Sequence, residues 1–200
     1  MLVVLKRLFD IVFSLFGLIS LTPFFLAITI FIKKEDGGSA FYRGERIGWY
    51  GNAFKIFKFR TMVDGAEKHG ASSTADDDPR ITKVGKFLRR YKIDELPQLI
   101  NVLKGEMSFV GPRPQVQWAV DLYTSEERQI LTVRPGITDY ASLRFRNEGE
   151  ILRGSLDPDK DYMERLHPEK MRLSLEYVKT RSFWIDIKII LQTIVTIFKH

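Results

Sequence analysis

The 200-residue chain contains no cysteine. Disulfides, thiolate metal sites and cysteine nucleophiles are therefore excluded, and the composition suits a reducing compartment. No internal repeat is visible, which leaves one domain, or a small domain with an anchor. No small-x-small cleavage site precedes Lys33, so the apolar N-terminus does not read as a signal peptide. RNP-like, helix-turn-helix and zinc patterns are missing too, and no motif ties the chain to nucleic acid. What is present is a basic balance, 31 Lys and Arg against 25 Asp and Glu, for a formal charge of +6. It calls for an anionic partner, which by charge alone is phospholipid, nucleotide or nucleic acid. The 44% of apolar residues can bury a modest core.

The N-terminus narrows the choice. Ile11 to Ile32 carries no charge and is as long as a membrane span, with Lys6 and Arg7 before it and Lys33 and Lys34 after it. A single span should be basic on one side only, whereas a segment that enters and leaves by the same face is basic at both ends. Thr22-Pro23 lies at the midpoint, where proline removes a backbone bond and a threonine hydroxyl can satisfy the freed carbonyl. Two legs would each rise ~15 Å, about half the apolar core. The expectation is a re-entrant helix-break-helix over residues 1–34, followed by one domain over 35–200; a straight, Pro-kinked span is the alternative.

Residues 54–62, FKIFKFRTM, read as one aromatic-rich strand with Lys58 and Arg60 on the same face, either a phosphate grip or a solvated surface. Asp64 to Arg80 reads as a mobile loop in which Asp76, Asp77 and Asp78 form a turn rather than a metal site. Ile81, Val84, Phe87, Leu88 and Tyr91 recur at helical spacing among Lys83, Lys86, Arg89, Arg90 and Lys92. That is a basic amphipathic helix, interfacial or core-packed.

Asp94-Glu95-Leu96-Pro97 reads as a helix start, with Asp94 accepting the orphan amides and Pro97 in the first turn. A carboxylate held ionised at a positive helix end, with Glu95 beside it, is a nucleophile or metal ligand in waiting, or simply a cap. Gly105 ends that helix. Gly111-Pro112-Arg113-Pro114 is a stiff loop that lowers the entropy cost when Arg113 engages an anion, and Arg134-Pro135-Gly136 is a turn bearing a second cation. Each arginine can equally be structural. His167 reads as a cap-region residue. Residues 183–198 are apolar on nearly every side, between basic Arg181 and Lys199, as an interfacial or last core helix.

DELPQLINVLKGEMSFVGPRP, with FKIFKFRTM upstream and VRPGIT downstream, resembles the bacterial sugar transferase family, the monotopic phosphoglycosyl transferases. The likeness runs from the apolar N-terminus to about Thr138, with a weaker echo near YVKTRSFWIDIKII. It implies a helix-rich α/β domain with a short sheet and interfacial amphipathic helices, on a re-entrant anchor broken at Thr22 and Pro23. It also implies a monotopic enzyme on the cytoplasmic face of the bacterial inner membrane, which transfers a phospho-sugar from a UDP-sugar to polyprenyl (undecaprenyl) phosphate with release of UMP, as the first membrane step of glycoconjugate assembly. Asp94 would be the nucleophile and, with Glu95, the Mg²⁺ ligand. Arg89, five residues before Asp94, would join Arg113, Lys58, Arg60, Arg134 and Arg146 as phosphate contacts. The partners implied are donor, lipid acceptor and phospholipid, with no nucleic acid; a homodimer stays open. The alternatives are a tethered nucleic-acid-binding protein without catalysis and a direct transferase without a covalent intermediate. After Thr138 the text departs from the family: Asp139-Tyr140-Ala141-Ser142 stands where many members have Gly-Trp-Ala-Gln, which puts sugar recognition in question, although Arg146-Asn147 keeps an Arg-Asn pair.

Overall fold

Helix α1 runs from Leu2 to Asp36 in the computed structural model, which describes residues 2–66 and 70–198. Lys199 and residues 67–69 of the 64–80 loop lie outside that range. The break expected at Thr22-Pro23 does not form, for helical structure continues through both residues. Thr22 Oγ1 donates to Leu18 O at 2.7 Å, not to Ile19 O, the carbonyl that Pro23 deprives of its usual donor. A lost bond is tolerated because both halves of α1 are seated on the domain. Near its start, Arg7 donates to Val102 O at 2.7 Å and Leu103 O at 2.9 Å, and Lys6 pairs with Asp186 at 2.5 Å. Asp10, 2% exposed, accepts from Ser108 Oγ and Phe109 N. Towards its end, Ile28 and Ile32 pack on Phe59 and Leu88, Glu35 accepts from Lys83 N and Val84 N, and Asp36 pairs with Arg60. The opposite face, including Leu8, Val12, Phe16, Ile19, Leu26 and Ile30, is apolar and exposed.

After α1 come β1 (Phe41–Tyr42), β2 (Glu45–Ile47), β3 (Ala53–Lys55) and β4 (Lys58–Phe59), paired antiparallel as β1 with β4 and β2 with β3. The single strand expected over residues 54–62 is thus divided. Asn101, fully buried, is the reason: its side chain accepts from Phe57 N at 2.8 Å and donates to Lys55 O at 2.9 Å, replacing ladder bonds at the corner. Helix α2 (Lys83–Arg90) is the expected basic helix, capped by Thr82 and packed through Leu88 on the end of α1. Its Gly85 lies so close to the preceding chain that a Cβ would stand 2.0 Å from Thr61 O.

A 3₁₀ turn over Ile93–Gln98 leads into α3 (Leu99–Lys104), which ends at left-handed Gly105 as expected. β5 (Ser108–Val110), α4 (Gln117–Asp121) and β6 (Gly136–Thr138) follow, with β5 and β6 parallel. The C-terminal third is helical: α5 (Tyr140–Arg144), α6 (Glu148–Ile151), α7 (Pro158–Arg165), α8 (His167–Thr180) and α9 (Phe183–Phe198). α9 is two-sided, since Ile189 is fully buried while Trp184 is 78% exposed alongside Leu191, Ile194 and Val195. The architecture is the expected helix-rich α/β domain on a long apolar helix.

Candidate active site

Lys92 adopts a left-handed conformation (φ 56°) and turns the chain so that the 3₁₀ segment carries Asp94 and Glu95 inward, 8% and 9% exposed. Asp94 is not the helix cap expected from the sequence: the cap position of the 3₁₀ turn is Lys92, and α3 begins only at Leu99. Its neighbour is gripped from two sides. Lys58 Nζ donates to Glu95 Oε1 at 2.8 Å, while Arg113 forks onto the same carboxylate, Nη2 to Oε1 at 2.5 Å and Nη1 to Oε2 at 3.2 Å. Asp94 Oδ1, by contrast, is buried with no hydrogen-bond partner. Burying an unpaired carboxylate oxygen is costly, and in the wall of a cleft that cost is removed when a donor or cation enters and supplies the missing partner.

The two acids are driven apart in acidity. Burial pushes the Asp94 carboxyl up, and the Glu95 charge adds to this, against the pull of Lys58 and Arg89. Burial acts on Glu95 in the same sense, but Arg113 and Lys58 outweigh it and hold Glu95 well below the usual carboxylate range. The cations thus favour the ionised form of Glu95, beside a more basic Asp94.

Tertiary packing explains why Arg113 is aimed here. Gly111 donates to Thr138 O and Gly136 to Pro112 O, both at 3.0 Å, and a Cβ on Gly136 would stand 2.0 Å from Gly111 N. The 134–136 turn is thus the backing of the Arg113 loop. Arg134 itself donates to Gly105 O at 2.9 Å and stacks over the Trp49 ring at 3.9 Å, outside the cleft. The cleft, about 1140 Å³, is lined by Asp94, Glu95, Lys58, Arg89 and Arg113. Arg60 and Arg146 also reach its wall, but Arg60 is committed to Asp36, Ser39 O and Met62 O, and Arg146 donates to Thr196 O and Ile197 O at the end of α9. The fold therefore gathers Lys58, Arg89 and Arg113 around the dyad and sets Arg60, Arg134 and Arg146 apart from it.

Sequence reading missed Asn101, which fixes the corner that presents Lys58, and the Glu148–Lys170 pair in the cleft wall. Asn101 lies at the end of the DELPQLIN run, and an amide between apolar Ile100 and Val102 was the available signal. His167, read as a cap-region residue, is the first residue of α8 and is 8% exposed. Asp78 pairs with Arg80 at 2.7 Å within its turn, and among the described residues no set of three or more His, Asp or Glu converges for a metal.

The sequence profile described as bacterial sugar transferase matches residues 1–200. The exopolysaccharide production protein ExoY of Sinorhizobium fredii is 37% identical over 204 residues, covering 94% of this chain and 83% of that protein. The UDP-N-acetylgalactosamine-undecaprenyl-phosphate N-acetylgalactosaminephosphotransferase of Aeromonas hydrophila is 37% identical over 96% of this chain but 43% of its own length. For the UDP-glucose:undecaprenyl-phosphate glucose-1-phosphate transferase of Escherichia coli the identity is 36%, over 95% and 39%. The chain thus spans most of ExoY and about two fifths of the two named transferases. With a match along its whole length and an acid pair set among cations in a deep cleft, the chain belongs to the bacterial sugar transferase family.

Proposed function

We propose that this protein is a membrane-bound phosphoglycosyl transferase that moves a phospho-sugar from a UDP-sugar to undecaprenyl phosphate through a covalent intermediate on Asp94. The observation that carries the reading is the buried, unpartnered Asp94 Oδ1 beside a Glu95 locked by Lys58 and Arg113. An Asp94 oxygen attacks the β-phosphorus, the bond from that phosphorus to the bridging oxygen breaks, and UMP leaves with the electron pair. An oxygen of the lipid phosphate then attacks the same phosphorus and displaces the carboxylate, which restores Asp94. Arg113, Lys58 and Arg89 counter the negative charge that two phosphates bring to a buried carboxylate. Glu95 keeps Lys58 and Arg113 in register.

Mg²⁺ fits this donor set. Oxygen ligands suit it, it takes one or two carboxylates plus substrate phosphates, and Asp94 and Glu95 are the residues that would hold it. When bound, it supplies charge neutralisation at the transferring phosphoryl group.

Membrane attachment follows from α1. Both of its ends bond to the same domain, Arg7 and Asp10 at one and Glu35 and Asp36 at the other, while the face between is apolar and open. A helix that crossed the bilayer would carry one end away from the domain. This arrangement supports an anchor whose two ends both stay at the cytoplasmic face of the inner membrane, with the apolar side of the unbroken helix in the lipid and the exposed side of α9 beside it.

The test is a single-turnover one. Enzyme with a UDP-sugar and Mg²⁺ but no lipid should release up to one UMP per molecule and leave a phospho-sugar on the Asp94 peptide; UMP that appears only when lipid is added, with no adduct, means direct transfer.

A further inference from the structure

A second polar group lines the cleft and has no part in the transfer step. Lys170, the fourth residue of α8, donates to Glu148 Oε2 at 2.5 Å and stands 4.8 Å from the centre of the Tyr162 ring. Gln115 Nε2 donates to the Tyr162 hydroxyl at 3.3 Å, and all four side chains reach the cleft. The Lys170 side chain is 6% exposed and that of Glu148 29%, so the ammonium is embedded while the carboxylate is open on the cleft side. Such a pair contributes little stability that an apolar pair would not, so its position in a binding cavity points to use.

Its chemistry and place agree. A carboxylate beside an ammonium offers acceptors and donors a few ångströms apart, the arrangement that two neighbouring sugar hydroxyls need, and the Tyr162 ring adds an apolar surface for the carbon face. Glu148 acts electrostatically on Arg113, which itself bonds Glu95 beside the nucleophile. The sugar hangs directly on the phosphorus that Asp94 attacks, whereas the nucleobase is separated from it by a second phosphate and the ribose. Side chains that share the cleft wall with Arg113, as Glu148, Tyr162 and Lys170 do, are therefore placed to meet the sugar.

We propose that the Glu148–Lys170 pair, backed by Tyr162, reads the hydroxyl pattern of the donor sugar. This rests on the UDP-sugar reading above. Wild type, Glu148→Gln and Lys170→Met would be assayed for UMP release with UDP-glucose, UDP-galactose and their two N-acetyl counterparts. Glu148→Gln keeps the shape of a partly exposed side chain, and Lys170→Met keeps the buried stem. The expected result is a wild type that prefers one of two epimers and a ratio of kcat/KM between them that falls about tenfold or more in the variants, because a site built to bond a hydroxyl loses discrimination with its partner. Inhibition by UMP, which has no sugar, should not change. A merely structural pair would lower kcat/KM for all donors alike. An unchanged ratio in both variants, or a wild type that does not distinguish the epimers, overturns the proposal; if the wild type uses none of the four donors, the donor reading fails first and this inference falls with it.

Discussion

Replacing Arg113 by lysine tests how the acid pair is controlled. The guanidinium spans both oxygens of Glu95, at 2.5 and 3.2 Å. An ammonium keeps the charge but has no planar fork, so one of the two bonds is lost. A hydrogen bond to a charged group contributes about 1.5 to 3 kcal/mol when protected from water. The Arg113 side chain is 35% exposed, and solvent screening reduces this to about 1 to 2 kcal/mol. If the orientation of Glu95 matters to the transition state by that amount, kcat/KM falls about 5- to 30-fold. The assay is UMP release against donor concentration, with a melting curve to show that the variant is folded. A double-mutant cycle adds the decisive arm. In a Glu95→Gln background the fork has lost its charged target, so Arg113→Lys should cost little more. Wild-type kcat/KM in the single variant, or an equal loss in both backgrounds, would refute the idea that Arg113 works through Glu95.

Asp94→Asn should abolish the UMP burst yet raise the melting temperature at pH 7. Burial and Glu95 raise the folded pKa of Asp94, so folding is favoured below the ordinary carboxylate pKa and loses that contribution as pH rises through the raised value; the gap between variant and wild type should close near pH 3, and a variant less stable at pH 7 would contradict this. Asn101→Ala removes the fully buried side chain that partners Phe57 N–H and Lys55 C=O, and should cost about 1 to 3 kcal/mol in denaturant unfolding, with less than about 0.5 kcal/mol showing that the corner does not depend on Asn101. Cysteines at exposed Val3 and Lys34 should both react with an impermeant maleimide from the cytoplasmic side only; labelling of one from the periplasm means that α1 spans the bilayer.

The sequence alone determined what depends on local order. An uncharged run of membrane length, the basic helix ahead of the dyad, the glycine stop at residue 105 and the acid pair itself were all legible, because hydrophobic period and turn chemistry act between near neighbours. Family resemblance, carried by the same short runs, agreed with the match along the whole chain. What it left open was partner choice. Lys58 and Arg60 look equivalent at period two, yet one pairs with Glu95 and the other with Asp36, because the 3₁₀ turn brings one carboxylate to Lys58 and the end of α1 supplies a competing one to Arg60. Arg113 and Arg134 look alike as Pro-flanked cations, yet only the parallel pairing of β5 with β6 decides that one turn supports the other. The role of Asp94 moved from helix cap to unpaired buried acid for the same reason: capping is a local property, whereas burial without a partner exists only once distant segments have closed around the residue.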